Sequence, residues 1–82
     1  MSKIKLLFFA TLRDRAGTRS AQMEVPAGTT VQRLKELVEQ AYPNLREPLK
    51  SVLIAVNREY ADEDFVLPDG AEVAFFPPVS GG

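Results

Sequence analysis

Residues 27–43 read AGTTVQRLKELVEQAYP, and this stretch decides the fold. Val31, Leu34, Leu37, Val38 and Ala41 recur at the three- and four-residue spacing that gathers side chains on one face of a helix. Thr29 and Gln32 match a capping box at its start, and Pro43, which lacks an N–H, stops it. A lone amphipathic helix cannot bury its apolar stripe against itself. The flanking segments must therefore supply a sheet for it to cover.

Working outward, Lys3 to Ala10 begins with strict alternation and reads as a first strand. Thr11 to Ala16 reads as a turn of helix ended by Gly17, and Ser20 to Val25 as a second strand closed by Pro26. Beyond the helix, residues 44–50 form a polar connector with room for a short helical turn. Ser51 to Val56 is a near-continuous apolar run that suits a central strand buried by the helix. Asn57-Arg58 turns into a short strand at Glu59 to Ala61, and Pro68-Asp69-Gly70 turns into a last strand, Glu72 to Phe76. This order predicts an α+β roll, a mixed sheet of about five strands with one main helix on one face.

Alternation also sorts the aromatics. Ile4, Leu6 and Phe8 share one face of the first strand, leaving Lys3, Lys5, Leu7 and Phe9 on the other; Val73 and Phe75 lie opposite Glu72, Ala74 and Phe76. Phe9 and Phe76 thus fall on the face away from the helix, where large apolar side chains either dock a partner or pack on each other.

Composition narrows the function. Eighty-two residues make one domain, with 45% apolar and 26% charged residues, ordinary for a globular chain. There is no Cys and no His, so disulfides, nucleophile dyads and the usual transition-metal sites have nothing to be built from; a reducing cytoplasm is the expected setting. The longest apolar runs, Leu6 to Ala10 and Val52 to Val56, fall far short of the roughly 18 residues of a membrane span. Lys3 and Lys5 before Leu6 faintly mimic a signal peptide, but Arg13-Asp14-Arg15 and the lack of a cleavage site argue against one. A net charge of -1 argues against nucleic acid as a partner. That charge is uneven: residues 1–41 hold seven Lys/Arg and four Asp/Glu, residues 42–82 three and seven. An acidic half of this kind would be steered toward a basic partner.

The remaining chemistry is at the end of the sequence, Phe75-Phe76-Pro77-Pro78-Val79-Ser80-Gly81-Gly82. Pro77 and Pro78 fix φ and donate no hydrogen bond, so the last strand cannot continue and the chain is expected to project as a tail over residues 77–82. From Val79 to Gly82 four residues reach on the order of 13 Å, enough to enter a partner's cleft. Gly81 gives the backbone wide φ/ψ freedom there, and Gly82 ends in a carboxylate with no side chain to crowd it.

Leu7-Phe8-Phe9-Ala10 with Leu12-Arg13 and Ala16-Gly17-Thr18, then Ala55-Val56-Asn57, then Leu67-Pro68-Asp69-Gly70-Ala71-Glu72-Val73-Ala74-Phe75-Phe76-Pro77-Pro78-Val79-Ser80-Gly81-Gly82, closely resemble the small subunits of molybdopterin synthase. The likeness spans the chain, and its specific part is the run from Glu72 to Gly82. It implies the ubiquitin-like β-grasp fold, with a domain over residues 1–76, and a sulfur carrier rather than a catalyst in its own right. In such a carrier an adenylyltransferase resembling ubiquitin-activating enzymes uses ATP to adenylate the carboxylate of Gly82. Sulfur then replaces AMP, and the thiocarboxylate serves a cyclic pyranopterin monophosphate inside the large subunit, in a heterotetramer of two large and two small subunits. No resident cofactor or metal is implied. The same resemblance makes Phe9, Arg13, Tyr60, Phe76, Pro77, Pro78, Val79 and Ser80 the expected partner contacts, Tyr60 departing from the aliphatic residue often found there. The alternatives are a sulfur carrier of thiamine biosynthesis, a protein modifier joined to lysines through Gly82, and an interaction module with an inert tail.

Overall fold

Ile4, Leu6 and Phe8 are buried while Lys3 and Lys5 between them are exposed, so the first strand, β1 (Ser2–Phe8), alternates as its sequence requires. The coordinates are a computed structural model that describes residues 1–78. A short helix, α1 (Thr11–Ala16), follows β1 and ends at Gly17, whose φ of 78° is the left-handed conformation glycine adopts without a Cβ clash. β2 (Ser20–Val25) runs antiparallel to β1, and α2 (Val31–Ala41) crosses the sheet beneath them. Two short 3₁₀ turns, Pro43–Leu45 and Pro48–Ser51, occupy the connector. β3 (Leu53–Val56), β4 (Glu59–Tyr60) and β5 (Glu72–Phe76) complete a five-stranded sheet in the order β2-β1-β5-β3-β4. Among the described residues only β1 and β5 pair in parallel, which makes the sheet mixed and gives the β-grasp arrangement expected from the sequence.

Three expectations need correction. The cap of α2 is Thr30, whose hydroxyl accepts from the Arg33 N–H at 3.2 Å; Thr29 instead donates its hydroxyl to the Pro26 carbonyl at 2.6 Å, holding the loop before the helix. Ala41 is exposed, so the covering stripe consists of Val31, Leu34 and Val38, with Leu37 half-buried. The apolar run Val52 to Val56 is not the central strand. β5 takes that place, with β3 one position from the edge, where Ile54 and Val56 enter the core and Leu53 and Ala55 face away from α2.

One apolar cluster joins the sheet's inner face to α2, and Phe75 at its centre has no exposed surface. Phe8 packs against Phe75 and Tyr42, each with ring centroids 5.5 Å apart. At the edge of the sheet, Lys35 on α2 donates to Glu63 at 2.8 Å and ties down the loop after β4. That hydrogen bond first, and the lysine's charge second, lower the Glu63 carboxyl below its ordinary value. The stabilisation this adds is present above the unfolded carboxylate's range and is lost as pH falls through the lowered folded value.

The β3–β4 turn shows how local conformation and long-range pairing cooperate. Asn57 and Arg58 have φ of 50° and 73°, as a two-residue turn between twisted strands requires. Asn57 also donates its N–H to the Glu72 carbonyl at 2.8 Å and accepts from the Glu72 N–H through Oδ1 at 2.9 Å. Asn57→Ala loses both the side-chain bond and a residue tolerant of positive φ, and should cost about 1–2 kcal/mol. Asn57→Gly keeps the backbone and should cost less. Urea unfolding of the two variants checks this, and equal losses would show that the hydrogen bond alone matters.

Candidate functional site

Strand register brings the outward-facing residues of four strands into one surface. Leu7 lies beside Ala74, Ala74 beside Ala55, and Ala55 beside Tyr60, so a row of apolar side chains crosses the sheet away from α2. Next to it, at the end of β1 and β5, the Phe9 and Phe76 rings stack with centroids 4.6 Å apart and planes 12° from parallel. Leu53 sits beside Phe76 in register, extending the apolar end of the face. Together Leu7, Phe9, Ala55, Arg58, Tyr60, Glu72, Ala74 and Phe76 enclose a shallow groove of about 340 Å³.

Phe9 is held in place by its backbone. Its N–H donates to the Phe75 carbonyl at 3.2 Å and its carbonyl accepts from the Leu12 N–H at 3.1 Å, so it is fixed between β5 and α1 although β1 ends at Phe8. Ala10, next in the chain, has φ of 53°, a sparsely populated conformation for a residue with a Cβ, and this bend swings the chain from β1 into α1. The result is an aromatic pair anchored through the Phe9 backbone, with Phe9 41% exposed and Phe76 half-buried; Tyr60, across the groove, is 76% exposed. Exposure and mutual packing, alternatives on sequence alone, occur together.

Sequence reasoning found three of the groove's residues, Phe9, Tyr60 and Phe76, and the structure brings them together. Arg13 does not line that groove; with Phe9 it lines a neighbouring one, together with Lys5, Leu7, Phe8, Arg19 and Ser20. Leu7, Ala55 and Ala74 were not singled out as contacts. Alternation already placed Leu7 and Ala74 on the outer face, whereas Ala55 needed the register with Ala74. Pro77 and Pro78 follow β5 directly, half-buried and exposed, and among the described residues the ladder ends at Phe76. Val79, Ser80, Gly81 and Gly82 lie outside the described residues. Among the described residues no cluster of His, Cys, Asp or Glu is arranged to hold a metal ion, and no helix is long and apolar enough to cross a membrane. What the described residues offer is an accessible, largely apolar face beside the point where β5 ends.

Comparison with known proteins places this architecture. Residues 6–82 match the ThiS family. The chain is 41% identical to the molybdopterin synthase sulfur carrier subunit of Mycobacterium tuberculosis, each covered over its full length. It is 38% identical to the subunit of the same name in Escherichia coli, over 96% of this chain and 99% of the other. Among solved structures it superposes on small archaeal modifier protein 1 of Haloferax volcanii with a TM-score of 0.89 at 25% identity, covering 96% of this chain and all of that one.

Proposed function

The chain belongs to the ThiS family, and we propose that it is the sulfur carrier of a molybdopterin synthase, loaded and discharged at the carboxylate of Gly82. The observation that carries this reading is the stacked Phe9–Phe76 platform at the point where the chain leaves the sheet toward Gly81-Gly82. A partner seated on that platform would meet the tail at its root. The likeness to sulfur carrier subunits over the whole chain supports the same assignment.

The chemistry follows from what the chain lacks. An α-carboxyl has a pKa of roughly 3.3–3.7, so Gly82 is an anion at neutral pH and a poor electrophile. Attack of a carboxylate oxygen on the α-phosphorus of ATP releases pyrophosphate and gives an acyl-adenylate, in which AMP is a good leaving group. A sulfur nucleophile supplied by a donor then displaces AMP at the acyl carbon, leaving a thiocarboxylate. Its anionic sulfur forms a C–S bond to the pterin substrate as an oxygen substituent leaves that carbon, with no base from this chain, and water at the acyl carbon then cleaves the resulting thioester, leaving the sulfur on the product and restoring the Gly82 carboxylate. With no His or Cys here, proton transfers fall to the partners, an adenylyltransferase for loading and a large subunit for delivery, in the cytoplasm.

A dithiolene takes two sulfurs and each carrier has one C-terminus, so each product consumes two loaded chains, as a complex of two large and two small subunits would supply. Thiocarboxylated protein, large subunit and cyclic pyranopterin monophosphate, mixed without ATP or sulfide, should yield about one pterin per two carriers and then stop. Several turnovers from one loading, or no product from fully loaded carrier, would overturn the assignment. The structural likeness to small archaeal modifier protein 1 favours one second reading. The same acyl-adenylate attacked by a lysine amine gives an isopeptide, and conjugates of higher mass in cell extract, absent when Gly82 is deleted, would identify it.

A further inference from the structure

Beside the apolar platform, and sharing Leu7 and Phe9 with it, runs a second groove of about 470 Å³ whose wall carries Lys5, Arg13 and Arg19 and no carboxylate. The three cations come from different elements, β1, α1 and the residue preceding β2. Each is exposed, and the Arg19 backbone is pinned by the Phe8 N–H donating to its carbonyl at 2.9 Å. Among the described residues the ion pairs are Arg33–Glu36, Lys35–Glu63 and Lys50–Glu47, so none of the three is paired there. The nearest acids in sequence and register do not answer them. Asp14 is in no ion pair among the described residues, and Glu72, beside Lys5 in register, lines the apolar groove instead.

We propose that this groove is the electrostatic half of the docking face, and that the partner protein seated on the Phe9–Phe76 platform lays an acidic ridge along Lys5, Arg13 and Arg19. The inference rests on the carrier reading above and adds the chemistry of the partner's surface. Continuity decides the occupant: a body covering Phe9 and Leu7 covers the shared wall of both grooves, and three like charges gathered there are a liability unless opposite charges meet them. Nucleic acid is a poor occupant for a chain of net charge -1. A small anion is a poor one too, since all three cations are exposed and none forms a buried, preorganised cradle. All three cations belong to the half of the chain, residues 1–41, in which Lys and Arg outnumber Asp and Glu.

Exposed charges at the edge of an apolar contact act mainly through long-range attraction, which salt screens over about 10 Å at 0.1 M. The test is the Kd of the full chain for the large subunit of its own organism, at about 0.05 M and about 0.5 M salt. Lys5→Glu combined with Arg19→Glu should weaken binding about tenfold or more at low salt, with the gap to wild type closing at high salt. Lys50→Glu, outside both grooves, should change little. Melting curves confirm folding, and Lys5→Gln with Arg19→Gln replaces the reversal if that variant is unstable. Equal affinity of wild type and variant at low salt overturns this inference alone, whereas a wild-type chain that does not bind the large subunit overturns the carrier reading and this inference with it. Saturable binding of inorganic phosphate to the chain alone, lost in the variant, would assign the groove to a small anion and overturn the acidic partner.

Discussion

Deletion of Gly82 should leave the chain folded, with a melting temperature within about 2 °C of wild type, and should abolish sulfur loading and transfer. The two halves of this expectation have separate causes. Among the described residues every buried apolar residue of the core lies between Ile4 and Phe75, and the last strand ends at Phe76, so this core is assembled before the chain reaches the prolines. In the proposed carrier role the reacting atom, by contrast, belongs to Gly82 alone. Removing it moves the carboxylate back by about one residue length, ~3.3–3.6 Å, far beyond the tolerance of a reaction that needs its atoms in near-attack contact. Melting curves and intact mass after incubation with activating enzyme, ATP and a sulfur donor check the two halves separately. A shortened chain that still acquires sulfur and supports cofactor synthesis would end the carrier reading.

The parts of the fold legible in the sequence are those fixed by local periodicity. Alternation from Lys3 to Phe9 and from Glu72 to Phe76 fixed which side chains face outward, and the spacing of Val31, Leu34 and Val38 fixed the covering helix. Capping was misread by one residue because Thr29 and Thr30 are both competent caps, and only the closed loop, with Thr29 bonded to Pro26, assigns their roles. Strand order was not legible for a deeper reason. The apolar run Val52 to Val56 looks central by composition, yet Ala55 faces outward and is covered by neighbouring strands rather than by the helix, a consequence of long-range pairing. The site divides in the same way. Phe9 and Phe76 were predictable from alternation, their stacking was not, and the grouping of Arg13 with Lys5 and Arg19 needed the packing of α1 beside β1 and β2. Val79 to Gly82 lie outside the described residues, so their part in the site rests on the sequence alone.

Phe75 and Phe76 are adjacent in sequence, and replacing them should produce opposite phenotypes. Phe75 is wholly buried at the centre of the sheet and packs on Phe8, so Phe75→Ala removes a large side chain from a filled core and should cost about 3–5 kcal/mol. A domain of this length has a total stability of about 4–12 kcal/mol, so that single change leaves the fold marginal or lost. Phe76 is only half-buried and rests on Phe9, so Phe76→Asp forfeits an aromatic stack of about 0.5–1.5 kcal/mol and little core packing. Its binding phenotype should be far larger. A carboxylate placed at the centre of an apolar docking platform has to be desolvated against the partner, and a hot spot of this kind should weaken binding to the large subunit by about 2–4 kcal/mol. Chemical unfolding and titration of the large subunit measure the two quantities on the same preparations. A loss of stability in Phe76→Asp as large as in Phe75→Ala would return Phe76 to the core, and unchanged affinity in a folded Phe76→Asp would remove the platform from the docking face. The contrast follows from the two-residue period of a strand, which sends one ring into the core and the next to the root of the tail.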